Sequence, residues 1–386
     1  MNKAMAGRSG SMPFSPLVVF LLCLPGLAFW LLWAWSVRET AFGGANDFRT
    51  LGYAAGKLLG TGHLYNPEKY KEIHEGLGFE TSEGIQHYTR MPFHAVLSKP
   101  FSLVPFRTGY LLWQLMQLGC LAGFLIVWPI GGMALASLAL SYSYPLFLTL
   151  SIGQDIPILL LLVALLARLH GSGRHFLAGL VFSLCLIKFH LFLLVPVVLL
   201  ARRLWRILAG MLAGAGILLL IATFADGPDW PRRYLGMLQQ PGSQWHVDVM
   251  PSLYGLIHNL RFAVYVEITF AALAAAAVFL VARRSSFETA LAAMLTGSVL
   301  VSHRPYIQDT VILIPACLVL LSHPFPRAVK YAAIVLIVPF TWMLFLVRVA
   351  PFTAVPQAAM LVILGGLVYS TAKLRNDWAA PPRNPA

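Results

Sequence analysis

Apolar and polar residues fall into long alternating blocks along this chain. Apolar runs cover about residues 16–35, 93–105, 110–128, 132–150, 156–169, 176–200, 207–224, 264–281, 287–301, 310–321, 329–347 and 354–369. A run of about 20 such residues is what an α-helix needs to cross the hydrocarbon core. Inside a bilayer the helix satisfies its own backbone, which an irregular chain cannot do. The pattern therefore predicts an all-α, polytopic transmembrane helical bundle of about 10–12 membrane segments. Two runs are irregular. The 93–105 run is short and bounded by Pro92 and Pro105, and the 176–200 run is interrupted by Lys188 and His190. Either suits a re-entrant or broken element.

The longest polar block, Arg38 to Arg90, holds most of the acidic residues: Glu39, Asp47, Glu68, Glu72, Glu75, Glu80 and Glu83. Within it Phe48, Leu51, Tyr53, Ala54, Ala55, Leu58 and Leu59 recur at near-helical spacing, and Pro67 to Ile73 starts a second short helix. Both are expected to lie along the membrane surface. Basic clusters stand at Lys3 and Arg8, Arg168 and Arg174, Arg202, Arg203 and Arg206, Arg283 and Arg284, Arg327 and Lys330, and Lys373 and Arg375. The positive-inside bias puts them in the cytoplasm and leaves segments 38–90, 151–155, 226–261 and 302–309 outside. With Lys3 and Arg8 before it, the 16–35 run has the flanks of a secretory signal, but it exceeds the roughly 7–15 residues of a signal core and reads as a retained anchor. No internal repeat divides residues 1–376, which read as a single domain, and the tail 377–386, with its Pro381 to Pro385 stretch, reads as disordered.

Composition narrows the class. The chain is 58% hydrophobic and only 11% charged, whereas soluble domains carry about 25% charged residues, so a water-soluble fold is excluded. The formal charge of +13 does not signal a nucleic-acid partner, because the Lys and Arg residues sit in short clusters between apolar runs rather than along one face. Cys23, Cys120, Cys185 and Cys317 lie inside apolar stretches without CxxC spacing or a nearby His pair. They read as buried hydrophobes, and no metal site is expected.

Against this background a few polar residues stand out. Asp47, just beyond the first run, is either the N-cap of the helix that begins near Phe48 or a general base in a half-desolvated setting. Lys188 and His190 interrupt an apolar run, where an ionisable residue costs roughly 2.5–3.5 kcal/mol, so they point to a cavity suited to a lipid phosphate unless Lys188 snorkels to the interface. The turn Ser302-His303-Arg304-Pro305-Tyr306-Ile307-Gln308-Asp309 is dense in polar groups. Arg304 can take a phosphate bidentately, and His303, Tyr306 and Asp309 suit sugar hydroxyls. Gln154 in the turn Gly153-Gln154-Asp155, and Tyr88 and Arg90 at the entry to Pro92-Phe93, are further substrate-binding candidates. Asp155 also reads as a helix cap and Tyr88 as a membrane-belt aromatic. Trp230, Trp245, His246 and Tyr254 suit either sugar stacking or packing at the membrane interface.

The order of these elements resembles glycosyltransferase family 87, polytopic GT-C enzymes that use polyprenyl-phosphate sugars. The resemblance rests on Asp47-Phe48, Gly60-Thr61-Gly62-His63-Leu64-Tyr65-Asn66, Pro92-Phe93 with Leu103-Val104-Pro105, Leu112-Trp113, Gly153-Gln154, Ala178-Gly179 with Lys188, Arg202-Arg203-Leu204-Trp205-Arg206, and His303 with Tyr306 and Asp309. Met91 and Phe189 depart from it, standing where the family tends to have prolines. The resemblance implies that Asp47 is the acidic residue of the first outer loop at the reaction centre and that Lys188 lies near the donor phosphate, to which residue chemistry adds His190 and Arg304. It implies a polyprenyl-phosphate sugar as donor substrate, a lipid or glycan acceptor, membrane lipids around the chain and no further cofactor. The active site would face outward from the plasma (inner) membrane. The expected reaction is inverting transfer of a hexose or pentose, mannose first, with Asp47 as base. A phosphate monoester leaves without a protonating acid, so one carboxylate and cations suffice, unlike glycoside hydrolysis with its two carboxyl groups. A lipid-linked oligosaccharide ligase or polymerase and a membrane transporter are the alternatives.

Overall fold

The computed structural model describes residues 15–79, 87–239, 247–348 and 351–379, and every regular element among them is helical. Lys3, Arg8, Glu80, Glu83, Trp245, His246 and the Pro381 to Pro385 stretch lie outside the described residues. Six helices are long and apolar enough to cross a membrane: Pro16–Phe42, Phe106–Val127, His175–Phe192, Trp205–Asp226, Ala263–Arg284 and Phe352–Lys373. Two bent pairs, Gly132–Ser141 with Tyr144–Ser151 and Arg327–Ile337 with Pro339–Leu346, turn by 65° and 64° and raise the number to eight if each is one span. Pro145 and Pro339 sit in the first turn of the second half of each pair, where proline is tolerated but cannot continue the preceding helix. The expected 10–12 segments also counted Ile156–Gly171, Phe287–Val301 and Ile307–Ser322, which are apolar but shorter.

The long helices carry apolar side chains outward. Leu31 and Leu32 on the first helix, Phe224 on Trp205–Asp226 and Ile268 on Ala263–Arg284 are all exposed, and lipid is the solvent in which such faces are stable. At the centre stands Phe287–Val301, buried at every position from Thr289 to Val301. Helices His175–Phe182 and Trp205–Asp226 meet at backbone contact. A Cβ on Gly179 would lie 1.9 Å from the Ile207 carbonyl oxygen and one on Gly210 would lie 2.0 Å from that of Phe176, the small-residue approach typical of membrane helices.

The four segments that the charge bias put on one side are contiguous at one end of the bundle. The Asp47 backbone N–H donates to the Ile152 carbonyl at 2.8 Å, and the Thr149 hydroxyl donates to the Gln308 carbonyl at 3.1 Å. The 38–90 and 226–261 segments share one core of Leu51, Leu58, Tyr65, Tyr70, Trp230 and Tyr234. The amphipathic pieces therefore do not simply float on the membrane surface, because each covers the apolar face of the other. Trp230 is buried in that core and so does not offer its ring to a sugar. His74, on the Pro67–Gly76 helix, is pushed down to about 4 by its own burial and by the nearby Arg49 charge. Several basic segments meet elsewhere: Arg202 donates to the carbonyls of Ala282 and Ser285, and His170 stacks on Phe287 at 3.9 Å.

Candidate active site

The site is organised by the turn between Tyr144–Ser151 and Ile156–Gly171. Gly153 has φ +71°, and a Cβ there would lie 2.8 Å from Cβ of Phe48. A left-handed backbone in that contact requires glycine. The Trp113 indole donates to the Gly153 carbonyl at 2.9 Å, the Tyr110 hydroxyl to Ser151 at 3.1 Å and the Gln114 amide to Leu150 at 2.7 Å. Phe48 packs among Tyr53, Phe106, Tyr110 and Trp113, so Asp47 is held against this turn by its neighbour's ring. Asn46 supplies an Asx cap to the helix that follows, accepting from the Arg49 N–H at 3.0 Å. The Asp47 carboxylate accepts from the Gln154 side-chain amide.

Behind Gln154 lies a buried group of charges. Lys188 occupies a break in the 176–200 run, with non-helical φ −132° and ψ 61° inside Ser183–Phe192. Its side chain is only 2% exposed, and its ammonium donates to Gln154 Oε1 and to Asp309 Oδ1, both at 2.6 Å. Snorkelling is therefore not its role. Asp155 was expected to cap the Ile156–Gly171 helix but makes no side-chain cap bond. Its carboxylate instead accepts from Arg90 Nε at 3.2 Å and lies 3.3 Å from both Lys188 Nζ and His94 Nε2. The Lys188 approach is a charge contact and the His94 one a close approach, neither with hydrogen-bond alignment, which leaves Asp155 Oδ1 and His94 Nε2 buried with no hydrogen bond among the described residues. Asp309 uses its second oxygen to accept the Tyr306 backbone N–H at 2.9 Å. Formally, Arg90 and Lys188 balance Asp155 and Asp309, and Asp47 adds one negative charge.

The start of the 302–309 turn is placed differently from Asp309 at its end. His303, 45% exposed, donates from Nδ1 to Glu267 Oε1 at 2.9 Å and lies against the Tyr254 ring at 3.9 Å. Glu267 is the single acid of the Ala263–Arg284 helix and is 18% exposed. Arg304 is half-buried and has no hydrogen bond or ion pair among the described residues.

Of the residues read from the sequence, Asp47, Gln154, Arg90, Lys188 and Asp309 are thus linked in one network, with Tyr306 joined through its backbone. His190 is partly buried, its Nε2 without a hydrogen bond among the described residues, and His303 and Arg304 stand on the turn that also carries Asp309. Tyr88 is not a belt aromatic. It is buried between Tyr65 and Tyr70, and its hydroxyl donates to the Met91 carbonyl at 3.2 Å and lies 3.4 Å from His94 Nδ1. Sequence reading missed Asp155 as an ion partner, His94 and Glu267. An acid inside an apolar run is the signal that Glu267 offered. Among the described residues no group of three His, Cys, Asp or Glu side chains forms a metal ligand set. An apolar cavity of about 300 Å³ lies beside the cluster, lined by Met91, Phe93, Leu186, Leu218, Ala222 and Trp230 among others.

The family model for glycosyltransferase family 87 matches residues 88–303. The chain belongs to glycosyltransferase family 87. It is accordingly a multi-pass membrane glycosyltransferase, which sets the transporter alternative aside. The matched stretch of this family-87 enzyme contains Arg90, Gln154, Asp155, Lys188, His190 and His303, while Asp47, Arg304, Tyr306 and Asp309 lie outside it. Asp47 and Asp309 are tied to it by the hydrogen bonds from Gln154 and Lys188. No curated protein and no solved structure matches the chain.

Proposed function

We propose that this family-87 enzyme transfers a hexose or pentose, mannose first, from a polyprenyl-phosphate donor to a lipid or glycan acceptor at the extracytoplasmic face of the plasma membrane. Asp47 removes the proton from the acceptor hydroxyl, the hydroxyl oxygen attacks the anomeric carbon, and the bond to the donor phosphate breaks with inversion. The observation that carries this reading is the link from the Asp47 carboxylate through Gln154 to the buried Lys188 and Arg90 cations.

Charge bookkeeping assigns the phosphate contact. The buried cations are already balanced by Asp155 and Asp309, so the half-buried Arg304 is the guanidinium best placed to take a phosphate, with His303 beside it and His190 as a further donor. Lys188 then acts mainly through its field and touches the phosphate only by giving up a bond to Asp309. The apolar cavity beside Met91 and Leu186 has the chemistry that an isoprenoid chain requires.

The test is incubation of the purified chain in lipid vesicles with radiolabelled polyprenyl-phosphate mannose, glucose or arabinose and membrane lipids as acceptors. Asp47→Asn should lower transfer by about 10²-fold or more while the protein stays folded in the membrane. Normal turnover by Asp47→Asn would remove this carboxylate from the mechanism.

A further inference from the structure

Gln154 is 6% exposed and makes contacts at both ends of its side-chain amide. The oxygen accepts from Lys188 Nζ at 2.6 Å and is approached by Arg90 Nη2 at 3.3 Å, while the nitrogen donates to Asp47 Oδ2. An amide oxygen only accepts and an amide nitrogen only donates. Lys and Arg have nothing but donors to offer, so the two cations fix the orientation of the amide without ambiguity. The amide nitrogen is thereby turned to Asp47 and gives it one of its two N–H groups. Its donor strength is raised by the positive charges polarising the carbonyl behind it.

The backbone holds the same geometry. Asp47 N–H donates to the Ile152 carbonyl at 2.8 Å and Gln154 N–H to the Thr149 carbonyl at 2.9 Å, so the backbone of Asp47 is tied to the turn that carries Gln154.

We infer that Gln154 is a positioning residue, fixing the plane and rotamer of the Asp47 carboxylate toward the acceptor hydroxyl and tying the base to the Lys188 and Arg90 cations. The inference rests on the reading of Asp47 as the base.

Gln154→Glu separates bracing from positioning. It has the same shape and still offers an acceptor to Lys188 and Arg90, so any purely structural role is kept. It replaces the N–H that faces Asp47 with an oxygen, setting two carboxyl groups against one another, and one of them then retains a proton. The other charged groups of the cluster, Arg90, Lys188, Asp155 and Asp309, are unchanged.

The experiment compares the full chain and its variants in lipid vesicles, using transfer of radiolabelled mannose from polyprenyl-phosphate mannose to membrane lipids. Gln154→Glu is expected to lower kcat by about 10²-fold. The acid limb of its pH–rate profile should move up by about one pH unit, with the donor KM and the thermal midpoint kept. Gln154→Met, uncharged and of similar length, guards against a folding failure and is expected to lower kcat about tenfold, again with the donor KM kept. Wild-type kcat and acid limb in Gln154→Glu, with Asp47→Asn inactive, would overturn the inference and leave the base reading intact. Full activity in Asp47→Asn would remove the base reading itself, and this inference with it.

Discussion

The charges around Lys188 and those of His303 and Arg304 belong to one end of the same bundle, yet they are built on opposite principles. Lys188, Arg90, Asp155 and Asp309 are buried and matched in sign, and their distances to one another run from 2.6 to 3.3 Å. His303 and Arg304 are partly open, and among the described residues His303 pairs with Glu267 at 2.9 Å while Arg304 has no hydrogen bond or ion pair. A buried charge is tolerated only when paired, and removing one member leaves the other stranded at high cost. An open charge keeps capacity for a ligand. The first group therefore reads as framework that sets the field of the site, and the second is the part to which the proposed function gives the substrate contact.

The largest effect expected from breaking this contrast is on stability. Lys188→Met strands Asp309 and leaves Asp155 with Arg90 alone, and should destabilise the fold by about 3–5 kcal/mol, read as a fall in the thermal midpoint of the detergent-solubilised chain. Adding Asp309→Asn should recover part of the loss without restoring transfer. An unchanged midpoint in Lys188→Met would mean that the cluster is not framework. Arg304→Ala should behave in the opposite way, raising the donor KM by about 10- to 100-fold, as for loss of a charged hydrogen bond of about 1.5–3 kcal/mol. Its thermal midpoint should stay put, and a large drop there would place Arg304 with the buried group. The smallest effect belongs to Glu267→Gln, which keeps an acceptor for His303 Nδ1 but removes the charge. Transfer should fall about threefold, because the tautomer is retained and only the strength of the bond is reduced. A loss as deep as that of Asp47→Asn would make Glu267 part of the chemistry itself.

Much of the helical layout could be read from the chain. The apolar runs correspond to helices, and the interruption at Lys188 marks a true break. The polar turns also stood out, so Asp47, Gln154, Lys188 and Asp309 could be named before their contacts were known. Their partners could not. Asp155 looked like a cap because it precedes a helix, and only the packing of residues 90, 94 and 188 around it turns its carboxylate away. Tyr88 looked like a belt aromatic because it lies near an apolar run, and only the packing of Tyr65 and Tyr70 against its ring removes it from lipid. Which runs bend is likewise invisible to hydropathy, since the 65° turn before Tyr144 leaves the apolar pattern intact.

Local chemistry settled what could be settled within a few turns of helix: where apolar residues demand lipid or core, where proline ends a helix, and where an ionisable side chain is too costly to be incidental. Tertiary structure decided which charges neutralise one another, because Arg90 and Asp155, or Lys188 and Asp309, are joined across long stretches of chain that carry no periodic signal linking them. Pair energies fall steeply with distance and depend on burial, so the difference between a framework cation and an available one exists only once the helices are packed.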